Sequence, residues 1–534
     1  MRQSRRKWIC YLAVVLMVVL ALATLARAQR VITSQYDNAR TGANLNETKL
    51  TPRNVNVQHF GKISTLHVDG DVYAQPLFLG GVEIPGKGRH DLLFIATEHD
   101  SVYAFDAYGN PGTPLWQASF LKDGFTTVPA GDANCPFISP EIGITSTPVI
   151  DPDTGTLYVL ARTRASGFFT NTYAQRLHAL AVTTGVEKFG GPIEIKASVR
   201  GNGTGSSSRK LDFNPLRDNP RAALLLNHGV VYLAWASACD VGPYHGWVMA
   251  YDARSLKQKA VFNASPDADD SGIWEGDTGP AADNAGNIFL ATGNGRFDAA
   301  KGGRDYGDSL LKLNGESLLL SDYFAPYNVA ELDAGDSDLG SGGPMLLPDQ
   351  PGAHPHLAVV EGKGGVLYLV DRDHMGRWQP GNNSHALQTI AIPNGVFGSM
   401  AYWNHYVYVL SNGDALRQFE VNDARLLPKA ASGFPGVSAT PTVSANGLKD
   451  GIVWILRSKS WHARDQPAAL YAYDAANVTH ELYDSEQNAS RDRAGPALRF
   501  NIPTAVNGHV YVGARREVDV YGLLPGSGVK VTTP

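Results

Sequence analysis

Short apolar runs, each bounded by glycine, proline, asparagine or aspartate, recur along this chain from about residue 60 to its end. No helix-period stripe competes with them. Runs of this kind, rich in Val, Ile, Tyr and Phe, read as strands and tight turns. They also repeat as a unit. A strand opened by Pro or Gly leads to a turn of the Asn-Gly kind. A V-Y-V strand follows, then a strand ending in Y-x-D or L-x-L, and a weaker strand closes the unit. The third unit shows the order plainly: AALLLNHG (222–229), VVYLAWA, GWVMAYDA, QKAVFNA. The other units open at AQPLFLGG (74–81), STPVIDPDTG (146–155), GPAADNAG (279–286), GGPMLLPD (342–349), SMAYWNH (399–405), SATPTVSANG (438–447) and NIPTAVNG (501–508).

A unit of this size buries its apolar faces only against its neighbours, so the repeats predict a ring. The eighth unit lacks a fourth strand. The stretch GKISTLHV (61–68) precedes the first unit's own strands and is placed to supply it. The expected fold is therefore all-β: a single eight-bladed β-propeller of four-stranded antiparallel sheets over residues 61–525. An N-terminal extension (29–60) precedes it and a C-terminal tail (526–534) follows. Seven blades result if one weak unit is a long loop, and an open array of sheets is the structural alternative.

Composition adds to this in three places. Glycine (56) and proline (31) are spread throughout, with no low-complexity linker to divide the chain. The first 28 residues read as a signal peptide: Arg2, Arg5, Arg6 and Lys7, then an apolar run from Trp8 to Leu25, then Ala26-Arg27-Ala28 before Gln29. Its alternative is an uncleaved anchor, since a span needs about 18 apolar residues; Cys10 lies inside the run and makes a poor lipid site. Without the signal's five cations the formal charge goes from −5 to −10. An acidic surface argues against nucleic acid as a partner. With no other spanning stretch, a secreted or periplasmic protein with no integral membrane span after processing is expected. Cys135 and Cys239 then either form one disulfide or remain two buried thiols. C-x-x-C-H, H-E-x-x-H and paired C-x-x-C patterns are all absent.

The stretch AFDAYGNPGTPLWQ (104–117) is similar to the repeat of the quinoprotein (pyrroloquinoline quinone) dehydrogenases, in which a turn glycine precedes a tryptophan docked between blades. LATGNG (290–295), DSDLGSGGPMLLPD (336–349) and EGKGGVLYLVDRD (361–373) occur in the same order as in the eight-bladed alcohol dehydrogenases of that family. The resemblance implies a quinone on the ring axis beside a calcium or lanthanide ion. It makes Asn294 an ion ligand, Asp336 or Asp338 the base that takes the alcohol proton, and Lys363 a contact to the quinone oxygens. Those types suit the chemistry. A hard cation takes oxygen ligands, a carboxylate removes a hydroxyl proton, and a lysine stabilises negative charge growing on a quinone.

The chain departs from the family in lacking its adjacent cysteine pair. Glu141 is the available substitute for the family's glutamate ligand, both to cofactor and to metal. Trp235 and Trp247 are the available tryptophans for stacking under the quinone.

Bland readings accompany these. Asn294 also suits a plain turn, Asp336 and Asp338 a solvated acidic loop, and Lys363 a surface turn. DPDTG (151–155) reads as a hairpin turn. Asp267, Asp269, Asp270 and Gly272 read as a loop, without the glutamate a calcium loop needs. His99, Asp100, Tyr244, His245, Asp305, Asp308, Trp461 and His462 follow strands and read as structural hydrogen-bond partners. Three functions remain: a dehydrogenase of a small alcohol or sugar, which needs an external electron acceptor; a non-catalytic propeller binding a protein or polysaccharide at its rim; and a hydrolase or lyase grafted on the ring.

Overall fold

The computed structural model describes residues 29–526 except 123, 168, 277, 434–435, 438 and 459–465. The expected signal segment 1–28, most of the expected tail (527–534), and Trp461 and His462 lie outside the described residues. The fold is all-β, with eight blades arranged as a propeller. Blade 4 is typical: Ala281–Ala282, Asn287–Ala291, Leu310–Asn314 and Leu320–Phe324 pair antiparallel in that order. Blade 8 joins Thr504–Val506, His509–Ala514 and Glu517–Leu523 to the early strand Phe60–His67. That strand runs antiparallel to the last one, from Phe60 opposite Leu523 to His67 opposite Glu517. The first and last segments of the ring thus share one sheet, which closes the ring at the seam.

The second strands read as continuous apolar runs because both faces of each blade are covered. In blade 7, Ile452, Trp454 and Leu456 pack with Val510 and Val512 of blade 8. The alternate residues Val453 and Ile455 pack with Tyr408 and Leu410 of blade 6. Tyrosines latch neighbouring blades: Tyr158, Tyr232 and Tyr408 donate through their hydroxyls to the carbonyls of Ala253, Gly315 and Ala475. The tryptophan after the turn glycine docks between blades as expected. Trp116 donates to Val182 O at 2.9 Å. It also lies against Gly185, where any Cβ would stand 2.6 Å from the indole.

The stretch 29–60 is in intimate contact with the ring. Arg30–Val31 pairs with the inner strand of blade 1. The carbonyls of Ile32, Asn38, Ala39, Thr41 and Gly42 accept from Ile150, Ala282, Leu346, Tyr402 and Val443 in blades 2, 4, 5, 6 and 7. Asn38 donates to Leu226 O in blade 3 and Asn44 to Ala505 O in blade 8. This segment crosses the axis at the lower end, where the first-to-second-strand turns lie. The second-to-third-strand turns and the blade-to-blade crossovers gather at the upper end.

Candidate functional site

A cavity of about 320 Å³ lies on the axis at the upper end. Turns and crossovers from different blades build its wall, so residues remote in sequence meet there. Three of the expected residues are joined directly. Lys363, in the second-to-third-strand turn of blade 5, places its Nζ 2.5 Å from Asp338 Oδ2 and 3.0 Å from Asp336 Oδ1. Asn294, in the corresponding turn of blade 4, donates its backbone N–H to Asp338 Oδ1 at 2.8 Å. Gly293 permits this approach: a Cβ there would stand 2.2 Å from Asp338 Oδ1 and 2.8 Å from the indole of Trp274. The Asn294 side-chain oxygen is buried and has no hydrogen-bond partner among the described residues, as has Trp274 Nε1.

The two aspartates differ. The Asp338 side chain is 3 % exposed with both oxygens engaged, whereas that of Asp336 is 68 % exposed and meets Lys363 through one oxygen. Burial opposes the charge on Lys363, but the two carboxylates outweigh it and raise its pKa. The ammonium also lies 5.9 Å from the Phe397 ring.

The rest of the wall was not picked out from the sequence. Phe137, Trp274, Phe397 and Phe500 give it aromatic faces, and Arg221 and Arg499 join Lys363 as cations. Arg221 stands 4.5 Å from the Phe500 ring and 5.7 Å from that of Trp274. Asp240 adds a third carboxyl whose pKa is raised by burial and by Asp338. A gap of about 20 Å³ adjoins the cavity and shares Arg221, Gly276 and Phe500 with it. Thr145, Thr147 and Thr278 line the gap.

Glu141 does not join this group. Its two oxygens lie 3.0 Å from His99 Nδ1, and one accepts from Thr127 Oγ1 at 2.7 Å. Trp235 and Trp247 are strand residues buried between blades beside Phe213; the tryptophan at the cavity is Trp274. The turn and loop aspartates serve local structure. Asp151 accepts from Asp153 N and Thr154 Oγ1, Asp267 pairs with Arg304, and Asp308 accepts from Leu339 N.

Cys135 and Cys239 form a disulfide with a Cα–Cα distance of 5.2 Å. Among the described residues, no group of three or more His, Cys, Asp or Glu side chains is arranged to hold a metal ion. No helix among them is long and apolar enough to cross a membrane.

No family model and no curated protein sequence matches this chain. Solved structures do match in fold. The quinohemoprotein alcohol dehydrogenase of Pseudomonas putida HK5 is similar at a TM-score of 0.62 and 14 % identity, over 95 % of this chain and 81 % of that one. That of Comamonas testosteroni is similar at 0.62 and 15 %, over 96 % and 82 %. A europium-containing methanol dehydrogenase is similar at 0.58 and 13 %, over 92 % and 98 %. The chain thus has the fold of the alcohol dehydrogenase-like quinoprotein β-propellers.

Proposed function

We propose that this protein holds pyrroloquinoline quinone in the axial cavity, with a calcium or lanthanide ion, and oxidises the hydroxyl of a small alcohol or sugar. The observation that carries the reading is the cavity itself: aromatic walls with three cations and an Asp336–Lys363–Asp338 cluster, to which Asn294 is joined through its backbone N–H. The residues suit a flat polyanion. Trp274, Phe397 and Phe500 offer ring faces. Arg221 and Arg499 suit carboxylates. The buried Asn294 Oδ1 is an oxygen donor of the type a hard cation takes.

The quinone would accept the two electrons of the alcohol. The chain's own residues do the rest. Asp336, with an oxygen clear of Lys363 and open to solvent, takes the hydroxyl proton. Asp338, held on both oxygens, keeps Lys363 and the Asn294 turn in place. The Lys363 ammonium supplies positive charge beside the reacting groups. Electrons then leave to a separate acceptor, since the sequence carries no haem-attachment motif. The pattern of residues 1–28 and the disulfide favour a secreted or periplasmic location.

The test is reconstitution of the purified protein with pyrroloquinoline quinone and calcium or a lanthanide, followed by calorimetry and by dye reduction with a panel of alcohols and sugars. Tight binding and turnover, both weakened in Asn294→Ala and Lys363→Ala, are expected. No binding with either ion would overturn the reading and leave a non-catalytic propeller that binds a protein or polysaccharide at its rim.

A further inference from the structure

The crossover from blade 1 to blade 2 is not a simple connection. Between Trp116–Ser119 and Val149–Asp151 it forms the strand Phe125–Pro129, the short helix Ala130–Ala133 and the strand Glu141–Ile142. This insertion has an apolar cluster of its own. Val128, Ala133, Cys135, Ile138 and Ile142 pack together with Tyr73, Ala238 and Leu498. Those last three belong to the 8-to-1 crossover, a blade 3 turn and the 7-to-8 crossover, so the insertion reaches over the upper end of the ring towards several blades. It contributes Phe137 to the cavity wall. Tyr73 Oη donates to Phe137 O at 3.1 Å, and the Arg499 guanidinium stands 4.2 Å from the Phe137 ring.

The disulfide sits at the decisive point. Cys135 is two residues from Phe137, and Cys239 immediately precedes Asp240, which also lines the cavity. One covalent link across 104 residues of sequence therefore ties together two wall residues from separate loops. The base of the insertion is fixed: Phe125–Thr127 pairs with Thr163–Ala165 of blade 2, and Asp132 meets Arg164 at 3.1 Å and accepts from Tyr173 Oη at 3.0 Å. Its tip, which carries Cys135 and Phe137, is held by the disulfide, the small apolar cluster and the bond from Tyr73, the kind of attachment that opens locally while the rest of a fold stays intact.

We propose that the tip of this insertion, residues 134–140, is a cap over the axial cavity, clamped shut by the Cys135–Cys239 bond, and that the clamped Phe137 sets the size of ligand the cavity admits and retains. The size-selection part rests on the cavity being the ligand site proposed above; the clamp does not. Reduction by a dithiol breaks the sulfur–sulfur bond. Two electrons and two protons pass from the dithiol, which closes to its own disulfide, and Cys135 and Cys239 are left as thiols. The cap then opens from the blade 3 side.

The experiment compares the oxidised protein with a Cys135→Ser/Cys239→Ser double variant and with folded protein reduced by dithiothreitol and confirmed by thiol titration. The first readout needs no cofactor: acrylamide quenching of Trp274 fluorescence, taken as the difference from a Trp274→Phe version. Unclamping is expected to raise the quenching constant about twofold or more, and reoxidation to restore it. The second readout is calorimetry with pyrroloquinoline quinone, where loss of a preorganised wall is expected to weaken binding about tenfold. Phe137→Ala with the disulfide intact should shift dye reduction towards bulkier alcohols. Free thiols with unchanged quenching would overturn the clamp. So would loss of the native circular dichroism on reduction, because a clamp confined to the cap leaves the ring folded. If the oxidised protein binds no quinone, the functional reading fails while the quenching arm still decides the cap.

Discussion

Glu98, Glu275 and Glu361 are fully buried, and burial pushes each carboxyl up to about 8. Glu98 and Glu275 each accept one backbone N–H, while neither oxygen of Glu361 has a partner among the described residues. The native protein therefore holds these protons at neutral pH, whereas unfolded carboxyls release them near 4.5. The sign follows from that difference. The stability tied to the native proton is fully present below pH 4.5 and is lost as pH rises towards 8. One such group contributes a slope of up to about 1.4 kcal/mol per pH unit. Urea midpoints measured between pH 5 and 8 should fall for the wild-type protein and fall less for Glu361→Gln, whose amide has no proton to lose. An unchanged slope in the variant would place the titration elsewhere. At this scale the sequence was a partial guide. That Asn294, Asp336, Asp338 and Lys363 meet in one place was legible because their motifs keep a fixed order. Trp274, Arg221 and Arg499 were not, because each lies in a crossover whose direction is set only when the ring closes. Trp235 and Trp247 drew attention as tryptophans, yet a strand buried on both faces sends its side chains into the core.

Among the elements, the blades were legible and the axial strap was not. Strand repeats announce themselves through apolar side chains on a regular unit. The strap, residues 30–44, attaches mainly through backbone groups, which carry no sequence signature, and so it read as an extension ahead of the ring. Among its side chains Arg40 is fully buried, as is Gln35, whose Nε2 donates to Met400 O at 2.9 Å. The Arg40 guanidinium donates to Ser34 O at 2.8 Å, Pro280 O at 3.1 Å and Leu224 O at 3.3 Å, and to Thr33 Oγ1 at 2.8 Å. Burial lowers its pKa to about 10, and Glu275 works against that shift. Arg40→Met removes the donors and leaves several buried carbonyls unpaired, each costing about 1–3 kcal/mol. Thermal melting should show a large loss for Arg40→Met and almost none for Arg425→Met on an exposed strand. Equal losses would mean that the strap is not what the guanidinium secures.

For the molecule as a whole, the seam in blade 8 decides whether a site exists at all. Phe60 and Tyr521 come from near opposite ends of the described chain and meet with Trp454 and Tyr483 in one aromatic cluster. Around the seam, Lys62 Nζ lies 3.2 Å from Asp519 Oδ1, and Thr65 Oγ1 donates to the same oxygen at 2.8 Å. Contacts this remote in sequence form late, since the chain between them must be ordered first. The GKISTLHV stretch was legible as the missing strand because four-strand units earlier in the chain made the gap in the eighth visible. The cavity draws Phe137 from one side of the seam and Arg499 and Phe500 from the other. Opening the seam therefore separates the wall without unfolding the individual blades. Phe60→Ala deletes a fully buried ring, at a cost of about 3–5 kcal/mol. On warming, this variant should lose acrylamide protection of Trp274 at a lower temperature than it loses far-ultraviolet circular dichroism, whereas the two transitions should coincide in the wild-type protein. Coincident transitions in both would mean that the blades melt as one unit and that the seam is no weaker than any other joint of the ring.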